Sequence, residues 1–236
     1  MINIIEKFND DIPFFKESIV KDILSWEDLE GLLNLRPFLN VKRFNFANNN
    51  LKYSWQKELN SNFISTINSI QNETWLTDID TWPANQLKNI VYDNVCYLSD
   101  CSRVNKKINN ICEQIENKWN YPTDAHIYFS LKETKEKQNV GFKKHWDYSH
   151  NLIIQVDGET NFKVWNKKIK DGDRQIEISE LPMLDVVMKS GDVIYIPKYM
   201  VHQAISLTKR LSISFSMNTD SSRNAQDRTW ITINDR

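Results

Sequence analysis

Two residues of the tripeptide His145-Trp146-Asp147, and a third group further on, His202, are of the types that hold a divalent metal ion. The sequence around 142–147 reads as a strand, and side chains two apart on a strand leave the same face. His145 and Asp147 can therefore reach one ion while Trp146 turns to the other side. The segment GDVIYIPKYMVH supplies the third group: Gly191 and Asp192 make a turn, an apolar strand runs to Ile196, Pro197 breaks it, and His202 stands just beyond. The 57 residues separating His145 from His202 are enough for several strands to wind round and bring the second histidine back to the first. Two imidazoles and one carboxylate on one side of a metal leave positions open for a bidentate co-substrate and oxygen, the arrangement that non-haem iron(II) chemistry requires. Zinc hydrolysis would use a similar triad but no keto-acid site. His126, in the first strand of this half, and His150, in the loop after the ligands, read as structural histidines.

A metal centre of this kind needs a rigid frame, and the second half of the chain has the pattern of one. Strand candidates fall at about 126–131, 142–147, 151–156, 160–165, 185–188, 192–196, 202–207 and 210–217, rich in Ile, Val, Phe and Tyr and separated by Gly and charged turns. Their number and spacing suit a double-stranded β-helix, or jelly roll, giving a mainly β fold with flanking helices. On the last strand Arg210, Ser212, Ser214 and Ser216 share one face and Leu211, Ile213 and Phe215 the other, so a polar face can line a cavity while the apolar face packs outward. Ahead of the barrel, Val104, Ile108, Ile111, Ile115 and Trp119 recur at helical steps over about 103–119, predicting a helix laid on a sheet. Ser25, three residues before Asp28, predicts a capped helix over about 25–33, Pro13 to Val20 reads extended, and Asn48, Asn49 and Asn50 mark a turn between strand candidates. Residues 1–122 are expected to form a mixed α/β segment packed on the barrel, 123–220 the double-stranded β-helix core and 221–236 a tail, in one cooperative unit.

Charged residues make up 26% of the 236 and balance to a formal net charge of -1, so no overall field draws the chain to nucleic acid. The start, MINIIEKFNDD, has no signal-peptide apolar region, and no apolar run approaches the roughly 20 residues that cross a bilayer. Cys96, Cys101 and Cys112 are odd in number and lack zinc-site spacing, which fits free thiols in a reducing compartment. A cytoplasmic protein with no membrane or nucleic-acid partner is expected.

The segment HWDYSHNLIIQVDGETNFKVW resembles the HxD, Asn, Gln and Gly strand pair of JmjC and cupin-like hydroxylases, and GDVIYIPKYMVHQAISLTKRLSISF resembles their closing strands. DAHIYFSLKETKEKQNVGFKKH resembles the first barrel strand and the loop leading into HxD, so the likeness covers about residues 123–218. The closing segment is also similar to the second cupin motif, with Gly191, Pro197 and His202 in register and Tyr199 where that motif prefers Gly; the first cupin motif, HxH followed by Glu, is absent. The resemblance implies an Fe(II)- and 2-oxoglutarate-dependent dioxygenase with His145, Asp147 and His202 as metal ligands. Its reaction would be oxidative decarboxylation of 2-oxoglutarate coupled to hydroxylation.

In similar enzymes a lysine two residues beyond the strand glycine anchors the far carboxylate of 2-oxoglutarate. Here that position is Thr160, and Lys163 has the wrong strand parity to replace it. Another branch of the superfamily uses an Arg-x-Ser on the last barrel strand, which Arg210, Leu211 and Ser212 fit. Arg210 is the expected anchor, with Lys163 the alternative and hydroxyl contacts from Thr160 and Ser212. Asn151 and Tyr128 match positions that touch the co-substrate in similar enzymes. Trp146, Tyr148, Trp165, Tyr195 and Tyr199 are candidate cavity walls, with a place in the core the commoner alternative for such residues. The resemblance points to a protein or peptide side chain as substrate. The alternatives are a free amino acid or small natural product, or a non-catalytic metal-binding module. The end of the chain at Arg236 leaves no room for the carboxy-terminal regions of ribosomal oxygenases.

Overall fold

The computed structural model describes residues 11–17, 19–35, 44–47, 88, 91–92, 94–131, 139–140, 144–170, 172, 176, 178–218 and 230. Among them, eight strands form two facing sheets: β4 (Thr123–Ser130), β5 (Asn139–Val140), β6 (His150–Asp157), β7 (Thr160–Lys168), β8 (Leu184–Met188), β9 (Val193–Ile196), β10 (Met200–Ser206) and β11 (Arg210–Met217). Three earlier strands, β1 (Phe14–Lys16), β2 (Phe44–Ala47) and β3 (Val95–Leu98), extend one of these sheets at its edges. The larger sheet runs β1-β9-β6-β11-β4-β3-β2 and the smaller β5-β10-β7-β8, with every pairing antiparallel. Apart from the paired β7 and β8, successive strands from β4 to β11 thus fall in opposite sheets, which is the jelly-roll winding.

β11 lies at the centre of the larger sheet, and its alternation sets the two faces. Leu211, Ile213 and Phe215 join Ala125, Ile127, Phe129, Leu152 and Ile154 in a core on the outer face. Helix α2 (Lys106–Trp119) closes that core with Ile108, Ile111, Cys112 and Ile115, all fully buried. Burial of each of the three isoleucines is worth about 1.5–3 kcal/mol. The helix starts where the Asn105 side chain accepts the Ile108 N–H at 2.8 Å, three residues later than the sequence suggests. It stops at Asn120, whose left-handed φ of 55° an asparagine tolerates. Helix α1 (Trp26–Leu33) has the expected capping box, with Asp28 N–H donating to Ser25 Oγ and Ser25 N–H to Asp28 Oδ2. The Asn48–Asn50 turn lies outside the described residues. No helix among the described residues is long and apolar enough to cross a membrane.

One strand expectation is corrected. Of the run expected at 142–147, residues 144–147 are not a strand: His145 alone makes a bridge, to His202, and the strand pairing β10 on that side is the earlier Asn139–Val140. The physical reason lies in Trp146 and Asp147. The indole sinks into a buried cluster with Trp165, Ile178 and Val201, and the Asp147 carbonyl accepts the Tyr199 N–H at 2.7 Å, so the chain leaves the ladder after one pair.

The connection that carries the chain from β6 in the larger sheet to β7 in the smaller turns at Gly158, with φ +76°. It is pressed so closely on the next turn that a Cβ there would stand 1.7 Å from the Lys209 carbonyl oxygen. Both the left-handed backbone and the contact with fixed backbone require glycine. Gly158→Ala is expected to destabilise the fold by at least about 2 kcal/mol, lowering Tm by about 4–8 °C in calorimetry; an unchanged Tm would contradict the close approach.

Candidate active site

The metal-binding residues expected from sequence come together at the rim between the sheets. The bridge joins them through backbone: His145 N–H donates to His202 O at 3.0 Å and His202 N–H to His145 O at 2.8 Å, so the two histidines are held side by side with ring centroids 4.3 Å apart. Asp147 Oδ2 lies 3.5 Å from His202 Nε2 and 3.9 Å from His145 Nε2, and the three donor atoms all fall within 4.8 Å of one another. His202 Nδ1 is 3.0 Å from the Met200 carbonyl, a partner that can only accept. Nδ1 therefore carries a proton, and in the neutral imidazole Nε2 turns a lone pair toward the aspartate. A lone pair and a carboxylate at that distance repel unless a cation lies between them. Donors on an ion with bonds of about 2.0–2.2 Å stand only slightly closer together, so the set fits a divalent metal.

Asn151 orients the carboxylate. Its Nδ2 donates to Asp147 Oδ2 at 3.1 Å, while its Oδ1 accepts from Ser216 Oγ at 2.7 Å and Ser214 Oγ at 3.3 Å. A side-chain chain thus runs from β11 to the site. Sequence resemblance assigned Asn151 to the co-substrate; its hydrogen bond is to Asp147.

Deeper between the sheets lies a second polar group. Arg210 is 2% exposed, donates from Nε to Ser212 Oγ at 3.0 Å, and lies 5.7 and 5.5 Å from the ring centroids of Tyr128 and Phe162. Its Nη1 has no hydrogen-bond partner. Burial draws its pKa down to about 10, relieved only slightly by Tyr128, so it stays cationic at neutral pH. Ser130 Oγ and Gln155 Oε1 on the strands either side of Arg210, and Thr160 Oγ1 and Ser206 Oγ on the facing sheet, are also buried without hydrogen-bond partners. Register brings them together: Ser130 faces Arg210, Gln155 faces Ser212 and Ser206 faces Thr160. A buried cation ringed by orphaned hydroxyls has the chemistry of an anion site. Arg210, Ser212 and Tyr128 are therefore brought together, and Thr160 stands on the facing sheet two residues from Phe162, whose ring lies beside the guanidinium. Lys163 is not among them: it sits on the outer face, paired with Asp185 at 3.4 Å.

The expected walls divide. Trp146, Tyr148 and Tyr199 pack on one another at 4.7 to 6.1 Å, with Tyr148 exposed at the rim. Tyr199 holds φ +67°, the left-handed region where the similar motif has glycine. Trp165 lies behind them, its Nε1 donating to Glu180 O at 2.8 Å. Tyr195 is no wall: it is in the outer core, stacked on Phe14 and bonded to His150 Nδ1 at 2.8 Å, because its strand parity sends it away from the cavity. That bond makes His150 structural, as expected. Ser130, Gln155 and Ser206 were not singled out from sequence, since what collects them is cross-strand register.

A jelly roll with two histidines and an aspartate at its rim and an anion site between its sheets defines a class of metal-dependent barrel. The JmjC domain family model matches residues 98–225, more than half of the chain, and the chain belongs to that family. It is 26% identical over 114 residues to ribosomal oxygenase 1 of Danio rerio, covering 44% of this chain and 20% of that protein. It is 25% identical over 105 residues to the bifunctional lysine-specific demethylase and histidyl-hydroxylase NO66 of Drosophila persimilis, covering 42% of this chain and 15% of that one. The fold matches the Escherichia coli ribosomal oxygenase YcfD, solved with cobalt and 2-oxoglutarate, at a TM-score of 0.58 and 15% identity, over 93% of this chain and 52% of that one. The chain thus spans at most about half the length of these proteins.

Removing the Asn151 amide is expected to free the Asp147 carboxylate. Asn151→Ala should weaken Mn(II) binding about 10–100-fold in a metal titration, and an unchanged affinity would show that Asp147 is held by other means.

Proposed function

We propose that this protein is an iron(II)- and 2-oxoglutarate-dependent dioxygenase that hydroxylates a protein or peptide side chain. The observation that carries the reading is the pairing of two sites between the same sheets: three converging metal donors at the rim and a buried, uncompensated Arg210 behind them. Phe162, whose ring lies beside the guanidinium, is in register with Ala204, two residues from His202 on β10, or about 7 Å along the strand. A five-carbon dicarboxylate is long enough to bridge that separation. Family membership and the names of the relatives, which include oxygenases and a histidyl-hydroxylase, support the same reading and favour a protein substrate.

His145, Asp147 and His202 would hold the ferrous ion from one side and leave its other positions open. With iron bound, the site supplies oxygen activation driven by decarboxylation of the keto acid. Arg210 would hold the far carboxylate through paired N–H donors, and Thr160 and Ser212 would add hydroxyl contacts. Asn151 keeps the Asp147 oxygen aimed at the rim, and the buried surroundings of Arg210 exclude water that would compete for the anion.

Succinate release from 2-oxoglutarate with ferrous iron, oxygen and ascorbate tests the reading, and its absence under all substrates tried would favour a non-catalytic binding module. His145→Ala, Asp147→Ala or His202→Ala should each abolish turnover. Arg210→Met should raise the half-saturating 2-oxoglutarate concentration by the equivalent of about 2–5 kcal/mol while changing little for a monocarboxylate 2-oxo acid. Equal behaviour of the two keto acids in the unaltered protein would remove Arg210 from the role of anchor.

A further inference from the structure

Resting on that reading of the site, we infer that Asp124 and His126 form a substrate-recognition pair on the cavity wall across from the metal. Their ligand would be a substrate side chain that carries N–H donors.

The placement comes from register. β4 alternates cleanly: Thr123, Ala125, Ile127 and Phe129 are buried in the outer core, whereas Asp124, His126 and Tyr128 turn to the inner face and are only partly covered. Asp124 faces Ser216 on β11, and Ser216 in turn faces Asn151 on β6, the residue that holds Asp147. Direct cross-strand neighbours have Cβ atoms about 5 Å apart, so this row puts Asp124 roughly 10 Å from Asn151. His126 lies in the next row, opposite Ser214. The pair therefore shares a wall with the metal site, at a distance that an extended side chain spans.

Chemistry gives the ligand class. Asp124 Oδ2 accepts the Asp100 N–H at 3.1 Å and lies 3.9 Å from His126 Nδ1, a separation too long for a hydrogen bond. His126 Nδ1 has no hydrogen-bond partner although the atom is buried. The two side chains keep 27% and 23% exposure, which leaves them within reach of a ligand. The Asp124 carboxylate makes this part of the wall attract hydrogen-bond donors and repel anions. Beside it, Tyr128 stacks on Tyr97 at 5.4 Å and separates the pair from the Arg210 end. The inner face of the large sheet is thus polarised: a cation where burial is complete and an anion toward the partly open end. A dicarboxylate and a donor-bearing side chain would sort themselves into opposite ends of one cavity.

The probes are capped pentapeptides with a central Arg, Asn, Leu or Glu among alanines. Their binding to the full chain is measured calorimetrically, with and without Zn(II) and 2-oxoglutarate, so that the ranking does not depend on turnover. The Arg peptide, a cation, is expected to bind tightest and the Asn peptide, a neutral amide, next, each about tenfold or more tighter than the Leu and Glu peptides. Asp124→Asn should remove the preference for Arg over Asn, and Asp124→Lys should turn the preference toward Glu. Melting curves check that the variants are folded. Equal binding of the four peptides by the unaltered chain, or the same ranking in all three proteins, would overturn the assignment. Failure of the unaltered chain to release succinate would count against the oxygenase reading alone, since the peptide ranking is read separately.

Discussion

Among the described residues, one strand at the centre of the larger sheet ties the candidate metal donors to the buried cation. Residues 210–217 must satisfy two faces at once, and period-two alternation lets them do so: Leu211, Ile213 and Phe215 close the core under the helix, while Arg210, Ser212, Ser214 and Ser216 line the interior. Ser214 and Ser216 hold Asn151, which holds Asp147, and Arg210 supplies the buried cation. A one-residue slip in this strand would send the guanidinium into the helix core and the phenylalanine into the cavity. The close seating of the Gly158 turn on Lys209 fixes that register immediately before the strand begins.

The places where local rules are broken gather at the same site. A non-glycine residue in the left-handed region at Tyr199 donates its N–H to the Asp147 carbonyl, and its ring packs on Trp146 and Tyr148. An arginine is buried without a carboxylate, and several hydroxyls around it lack partners. Each costs about 1–3 kcal/mol. Such costs persist in a fold when a ligand offsets them, which is why a keto acid and a metal account for features that the core alone does not explain.

Much of this was legible in the sequence because its signals were periodic. The apolar stripe from Ile108 to Ile115 and the alternation of 210–217 each admit one reading, and Ser25 with Asp28 marks a helix start. The three candidate metal donors that converge were legible from spacing, but the reason given for His145 and Asp147 was incomplete. They sit on a loop held by one bridge rather than on a strand, because the burial of Trp146 outweighs continued pairing. What could not be read was which residues oppose one another. Gln155, Ser130 and Ser206 reach the Arg210 site only through cross-strand register, and His126, taken for a structural histidine, gains its neighbours in the same way. Tyr195 was left open between wall and core for a related reason: an aromatic near a motif can be either until its parity is fixed by a partner strand.

The central claim is that metal and 2-oxoglutarate occupy one cavity, chelated together at the rim and anchored together at Arg210. The most direct measurement is calorimetric titration of 2-oxoglutarate into the protein under nitrogen, with and without ferrous ion. The account predicts one molecule bound per chain, about tenfold or more tighter when iron is present, because each ligand would complete the other's site. No binding in the presence of iron, or an affinity that iron does not change, would contradict it.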